Sequence, residues 1–327
     1  MEPMTRNTAA VDHAGRPDGT VEAVASRSAT QHRTPVRKHR KKQIGLVFVA
    51  PFALLFLLVY VIPILYAAYL SLFQQKLIGG NKFTGLANYT KLFQDAQFWD
   101  GVGRVFWFTL IQVPVMLILA MALALALDSK RLHGAKFMRV SIFLPYAVPA
   151  VVSTLMWGFM LGVKYGLFGS LNKALGTDLN PFGPGTTLIS IGVMVTWAFT
   201  GFNMLIFYAV LKAVPRDLYE AAALDGANEF QVVRKIKLPA LRSSLVIAVI
   251  FSIIGTFQIF NEPQILPSLV ANSGITTNYT PNLYAYNLAF TGSQQGYAAA
   301  LALVMAAITI AVAYAVQIRG LKNAFDH

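Results

Sequence analysis

Pro215-Arg216-Asp217-Leu218-Tyr219-Glu220-Ala221-Ala222-Ala223-Leu224-Asp225-Gly226-Ala227-Asn228-Glu229-Phe230-Gln231-Val232-Val233-Arg234-Lys235-Ile236-Lys237-Leu238-Pro239 is a polar island between two long apolar runs. Pro215 near a helix start, Asp217 in the first turn, a run of alanines and Gly226 as a stop predict a short helix of about two to three turns. A second short helix is predicted from about Glu229 to Lys237, ended by Pro239. On these residues alone the stretch 212–240 is either an amphipathic linker lying on lipid headgroups or a docking element for a partner.

The runs around it set the fold class. Six apolar segments reach or approach the ~20 residues that a bilayer requires: 44–73, 105–127, 140–163, 188–211, 245–260 with its flanks, and 298–318. The chain of 327 residues is 56% apolar and 13% charged, with a mean hydropathy of +0.55, far from the balance of a soluble domain. An all-α integral membrane protein with six transmembrane helices is predicted. Pro63, Pro114, Pro145 and Pro149 fall inside the runs, where neighbouring helices and polar side chains can satisfy the freed carbonyls.

Residues 1–42 are polar and end in Arg37-Lys38-His39-Arg40-Lys41-Lys42, which predicts a disordered basic tail ahead of a transmembrane domain at 43–327. The first apolar run is too long for the core of a cleavable signal peptide. The 27 Lys and Arg divide unevenly between the two sides: 21 lie in the tail, in the segments after runs two and four and at the C-terminus, against six in the other loops. Basic residues are retained in the cytoplasm, so both termini and the 212–240 loop are predicted inside. The basic excess is then topology, with the lipid bilayer as partner and no nucleic acid.

With no Cys and five scattered His, there is no thiolate metal site and no His spacing of the metal-ligand kind, so no metal is predicted. No G-x-x-x-x-G-K-[ST] loop occurs, so no cofactor or nucleotide is predicted in this chain itself. An ATP-independent carrier or channel would need embedded carboxylates or cations, and the runs have essentially none besides Glu262 and residues at their ends. A membrane enzyme would need a cluster of acids, His or Ser/His pairs at one face, and none stands out.

Glu220-Ala221-Ala222, Gly226, Ile236 and Leu238-Pro239 stand at the spacing of a signature that resembles the membrane subunits of ABC importers. Further stretches bring the resemblance closest to binding-protein-dependent sugar permeases: Phe83-x-Gly85-Leu86-x-Asn88-Tyr89, Leu144-Pro145-Tyr146-Ala147-Val148-Pro149, Gly166-Leu167-Phe168-Gly169-Ser170-Leu171-Asn172 and Gly296-Tyr297-Ala298-Ala299-Ala300. One departure is Ala271-Asn272-Ser273-Gly274, where the family has a Gly-Gly-Pro turn.

The resemblance implies a type I ABC importer permease fold in a bacterial cell membrane. It implies a coupling element formed by Glu220, Ala221, Ala222, Asp225, Gly226, Ile236, Leu238 and Pro239. The implied partners are an ABC ATPase subunit dimer using ATP and Mg, a second related permease and an extracytoplasmic solute-binding protein. A sugar or oligosaccharide would be carried by alternating access, with an importer of a non-sugar solute as the alternative. Candidate pathway residues are Phe257, Gln258, Asn261 and Glu262, with helical spacing expected to place Phe257 or Gln258 on the face of Asn261. Phe199, Phe202 and Asn203 in the fourth run form a similar aromatic and amide set, beside the aromatics Trp197 and Trp157. Rings that stack on sugar faces beside amides that bond hydroxyls suit a saccharide; the alternative is that the amides only join helices.

Overall fold

Prolines and small residues decide where the apolar runs stay straight and where they bend. The computed structural model describes residues 39–76, 80–129, 132–270 and 273–325. The expected tail before residue 39, and Ala271 and Asn272 of the departing turn, lie outside them. The chain divides after Leu55 into two units. The described part of the first is the body of helix α1 (His39–Phe56), which Pro51 does not end.

The second unit begins with a π turn at Leu57–Val61 and α2 (Ile62–Leu70). A hairpin of β1 (Phe73–Lys76) and β2 (Gly80–Phe83) follows, antiparallel with Phe73 opposite Phe83. Next come α3 (Ala87–Phe93), α4 (Ala96–Asp128), α5 (Ala135–Phe143), α6 (Ala150–Met160), α7 (Leu167–Leu175) and α8 (Thr187–Ala213). Beyond them are α9 (Arg216–Leu224), α10 (Glu229–Val232), α11 (Leu238–Phe257), α12 (Asn261–Leu269), α13 (Pro281–Tyr286) and α14 (Gln295–Phe325).

Five helical stretches among the described residues are long and apolar enough to cross a membrane: Val47–Leu70, Ala96–Asp128, Thr187–Ala213, Glu229–Phe257 and Gln295–Gly320. The third expected span, at 140–163, is different. Ala135–Ala147 and Ala150–Met160 form a pair bent by 98°. Val148 is extended, as a residue before proline prefers, and Pro149 supplies no N–H to continue the ladder. Six spans result only if this pair counts as one.

Pro239, expected to end a short helix, does not. The helix runs on. A π turn at Val233–Lys237, with the Leu238 N–H bonded to the Val233 carbonyl, widens the backbone where the proline ring would meet the preceding turn. Pro239 then falls in the first turn of α11, where its missing N–H costs little.

Helix α4 packs along α8, and α11 packs against α4, α8 and α14. Met116, Ala120, Ile191, Met194, Phe207, Ala248 and Leu301 are buried between them. Polar groups join the helices too: Gln112 Nε2 donates to the Gly192 carbonyl at 3.0 Å and to Thr196 Oγ1 at 2.6 Å, and Thr109 bonds Thr256 at 2.9 Å. Such bonds hold helices together where a hydrophobic driving force between them is weak. Gly201 lets α8 approach α5, because a side chain there would run into the Ile142 carbonyl. Large apolar side chains of α2 and of one face of α4, such as Leu65, Tyr66, Ile111 and Ile118, point outward, as lipid contact requires.

At the end of the bundle away from the 212–240 loop, the hairpin, α3 and α13 close over α4 and α14. Asn88, 2% exposed, donates to the carbonyls of Ser71 at 2.8 Å and Phe73 at 2.9 Å, which accounts physically for an Asn in its motif. Gly296 lies against the Phe73 carbonyl, with no room for a side chain.

Candidate functional site

The 212–240 loop is built almost entirely from local rules. Helix α9 ends in a Schellman closure: the Ala227 N–H bonds the Ala222 carbonyl at 2.9 Å and the Gly226 N–H bonds Ala223 at 3.1 Å. Gly226 has φ +72°, the left-handed position that glycine fills without strain. Asn228 then opens α10 with a capping box, accepting from the Gln231 N–H at 2.9 Å while the Gln231 side chain accepts from the Asn228 N–H at 2.8 Å. An Asn followed three residues later by Gln was the legible signal for that box, and the sequence reading passed over it.

The result is a fixed helix–turn–helix with an unusual surface. Leu224 is 89% exposed, Phe230 72% and Leu218 51%. Glu220, Ala221, Asp225, Gly226, Leu238 and Pro239 are exposed and Ala222 and Ile236 half-buried. Glu220 makes no ion pair with any described residue. Three bulky apolar side chains beside an unpaired carboxylate suit a protein partner.

The loop is fastened to the bundle by Asp128 at the end of α4. Its Oδ1 lies 2.8 Å from Lys212 Nζ and its Oδ2 2.7 Å from Lys237 Nζ. Lys212 closes α8 and Lys237 closes the π turn, so one carboxylate holds both ends of the loop. Lys237 also lies over the Tyr219 ring of α9 at 5.9 Å. The Tyr219 hydroxyl is buried without a hydrogen-bond partner among the described residues, and burial pushes its pKa up. Sequence reading missed Asp128, although a lone acid closing an apolar run was a signal.

A second site lies inside the bundle. A cavity of about 400 Å³ is lined by Tyr146, Phe199, Phe202, Asn203, Phe251, Ser252, Thr256, Gln258, Asn261 and Glu262, among others. Tyr146 stacks on Phe202 at 4.7 Å and meets Phe199 edge-on at 5.8 Å. Six of the seven expected pathway residues meet here. Phe257 does not: it is 2% exposed on another face, and its carbonyl accepts from Asn282 Nδ2 at 3.1 Å.

Of Phe257 and Gln258, Gln258 is the one that lines the cavity with Asn261, and α11 stops at Phe257. Gln258 caps it and Asn261 starts α12, so Gln258, Asn261 and Glu262 reach the cavity from a helix break. Asn203 Nδ2 bonds the Phe199 carbonyl at 3.1 Å. Trp157 and Trp197 pair edge-on at 5.8 Å and do not line the cavity. Tyr146, Ser252 and Thr256 were not singled out as pathway residues; only folding the bent pair against α8 brings Tyr146 to Phe202.

At the opposite end, Asp95 caps α4 through the N–H groups of Gln97 at 3.0 Å and Phe98 at 3.4 Å, and accepts from the hydroxyls of Tyr284 at 2.9 Å and Tyr297. Burial works to raise its pKa, but the hydrogen bonds from Tyr297, Tyr284, Phe98 and Gln97 outweigh it and hold the carboxyl below its ordinary value. Tyr284 is pushed up to about 12 by burial and by the carboxylate.

Among described residues there is no group of His, Cys, Asp and Glu that could hold a metal ion. Residues 97–319 match the family model described as binding-protein-dependent transport system inner membrane component. The chain is 31% identical over 307 residues to the arabinooligosaccharides transport system permease protein AraP of Bacillus subtilis, covering 90% of this chain and 93% of that one. It is 31% identical over 253 residues to the trehalose/maltose transport system permease protein MalF of Thermococcus litoralis, covering 76% and 84%. The fold matches a chain of a bacterial ABC transporter involved in import of the acidic polysaccharide alginate, with a TM-score of 0.74 at 18% identity, over 86% of this chain and 96% of that one. The chain therefore belongs to the binding-protein-dependent transport system inner membrane components, as a multi-pass permease of an ABC transporter in the cell membrane, with ATP hydrolysis carried by a partner subunit.

Proposed function

We propose that this permease carries a sugar or oligosaccharide into the cytoplasm, and that α9 and α10 are the element through which an ABC ATPase dimer drives it. The observation that carries the proposal is the loop itself. It is closed at Gly226, capped at Asn228 and held at both ends by Asp128, yet it presents Leu218, Leu224, Phe230 and Glu220 outward. A lever must be rigid at its base and apolar at its contact, and this loop is both.

Glu220 would meet a donor across the interface, and Ala221 and Ala222 would permit close approach. Both chain ends and this loop would face the cytoplasm, consistent with 21 of the 27 Lys and Arg on that side. A second related permease would complete the pathway, and an extracytoplasmic binding protein would deliver cargo at the end where Asp95 lies. Closure of the ATPases on ATP would push the loop and tilt the bundle between inward-open and outward-open states.

The aromatic and amide lining of the cavity supports a saccharide, as do the cargoes named for the two relatives. The test is purification of the tagged chain in mild detergent with identification of co-purifying proteins, for wild type and Glu220→Arg. Recovery of an ATPase and a second permease with wild type, and loss of the ATPase alone from the variant, supports the docking role. Equal recovery from both overturns it.

A further inference from the structure

The relatives do not settle one chemical question. Two are named for arabinooligosaccharides and for trehalose and maltose, while the matching fold belongs to a transporter of an acidic polysaccharide. A shared fold does not fix the charge of the cargo. The cavity lining bears on it directly.

Among the residues lining the cavity there is no Lys, Arg or His, and a single carboxyl, Glu262. Its polar groups are amides and hydroxyls, of the kind supplied by Asn203, Gln258 and Thr256, which can exchange hydrogen bonds with sugar hydroxyls in both directions. Its apolar walls are ring faces, of which Tyr146 and Phe202 are stacked at 4.7 Å. The nearest cation along α4 is Arg104, one turn before the lining residue Phe108, and it is engaged: it donates to the Tyr279 carbonyl at 2.5 Å and lies over the Tyr279 ring at 4.6 Å.

An anionic sugar entering this space would shed water and find no positive partner among the lining residues of this subunit. Desolvated charge without a partner is costly. A neutral sugar loses only hydroxyl hydration, which amides and hydroxyls replace. We propose that the cavity selects uncharged saccharides over uronic-acid and other anionic sugars, for which its lining on this subunit holds no cation. This rests on the sugar-permease reading above.

The test uses the assembled complex in lipid nanodiscs without a binding protein, so that selection by the binding protein does not enter. A panel of neutral gluco-, galacto-, xylo- and arabino-oligosaccharides is screened by equilibrium dialysis. The tightest-bound gluco- or galacto-oligosaccharide is then compared with its own C6-oxidised, uronic-acid form. The oxidised form is expected to bind at least about tenfold more weakly to wild type, as like-charge juxtaposition suppresses wrong partners. Glu262→Lys, which places a cation in the lining, should narrow or reverse that ratio, and Glu262→Gln, which does not, should leave the neutral form preferred. Retention of the ATPase in both variants shows that they assemble.

Equal or tighter binding of the oxidised form by wild type, or a ratio unmoved in assembled Glu262→Lys, overturns the proposal. Binding of no gluco- or galacto-oligosaccharide and of no oxidised form, by a complex that retains its ATPase, removes the saccharide reading of the cavity and this proposal with it. Loss of the ATPase from wild type instead strikes the docking reading.

Discussion

Asp128 and Lys237 form an ion pair at 2.7 Å in which both side chains are less than 10% exposed, and the same carboxylate reaches Lys212 on the far side of the loop. The two lysines differ in environment, since the Lys212 side chain is 54% exposed. Breaking a buried pair leaves a buried charge without compensation, at about 3–5 kcal/mol, whereas an exposed partner contributes at most about 1 kcal/mol. Asp128→Asn and Lys237→Met are therefore expected to lower the unfolding temperature in detergent clearly, and Lys212→Met only slightly. The double variant Asp128→Leu/Lys237→Leu should recover part of the loss. A Lys212→Met effect equal to that of Lys237→Met would refute the ranking.

Gly226 sits at φ +72° with open space where a side chain would go, so the penalty of substitution is conformational. Gly226→Ala should cost about 1–2 kcal/mol, the left-handed backbone penalty for an L-residue, and Gly226→Val more. The strain acts on the closure between α9 and α10. ATPase recovery is thus expected to fall while the unfolding temperature of the bundle holds. An unfolding temperature lowered as far as by Asp128→Asn would show that the loop folds with the bundle and is no separate lever.

Phe257 and Phe202 look interchangeable in the sequence and differ in the structure. Phe257 is buried against its neighbours, so Phe257→Ala should cost about 3–5 kcal/mol through the cavity it leaves. Phe202 lines a space that already exists, so Phe202→Ala, Gln258→Ala and Asn261→Ala should impair uptake with little effect on assembly. Unchanged uptake in all three would remove them from the path. Thermal unfolding and uptake measured on the same preparations separate the two classes.

Asp95 predicts a pH dependence at both extremes. Its carboxyl is held below the ordinary value of 3.8, so its contribution is complete above that value and is lost as pH falls through the lower folded value. Tyr284 is raised from 10.0 to about 12, so its contribution is complete below 10.0 and is lost as pH rises through about 12. Stability should be flat in this respect between pH 5 and 9. Asp95→Ala should lower it throughout that range, by the ~1 kcal/mol of a helix cap and by the loss of two hydroxyl bonds. Tyr284→Phe should remove the part of the alkaline loss due to that hydroxyl. An Asp95→Ala profile that parallels wild type below pH 4 would contradict the assignment.

The sequence by itself determined the features whose causes are local. Apolar length marked the spans, Gly226 marked the helix stop through the backbone conformation that glycine alone takes easily, and the spacing from Glu220 to Pro239 pointed to the loop. The same local physics made Asn228 and Gln231 readable, although they were not read. Tertiary structure decided what depends on backbone breaks and on distant partners.

Proline bends a chain by removing a bond, but whether it bends depends on whether the helix can absorb the loss. Pro149 turns its run by 98°, while a π turn carries the helix past Pro239 and Pro114 stays inside α4. The break at Gln258 put Phe257 into the core and Asn261 into the cavity, because a facing inferred from helical period holds only while the helix is continuous. Asp128 meets Lys212 and Lys237 from 84 and 109 residues away, and a Coulombic pair forms through space, which periodicity and spacing along the chain do not encode.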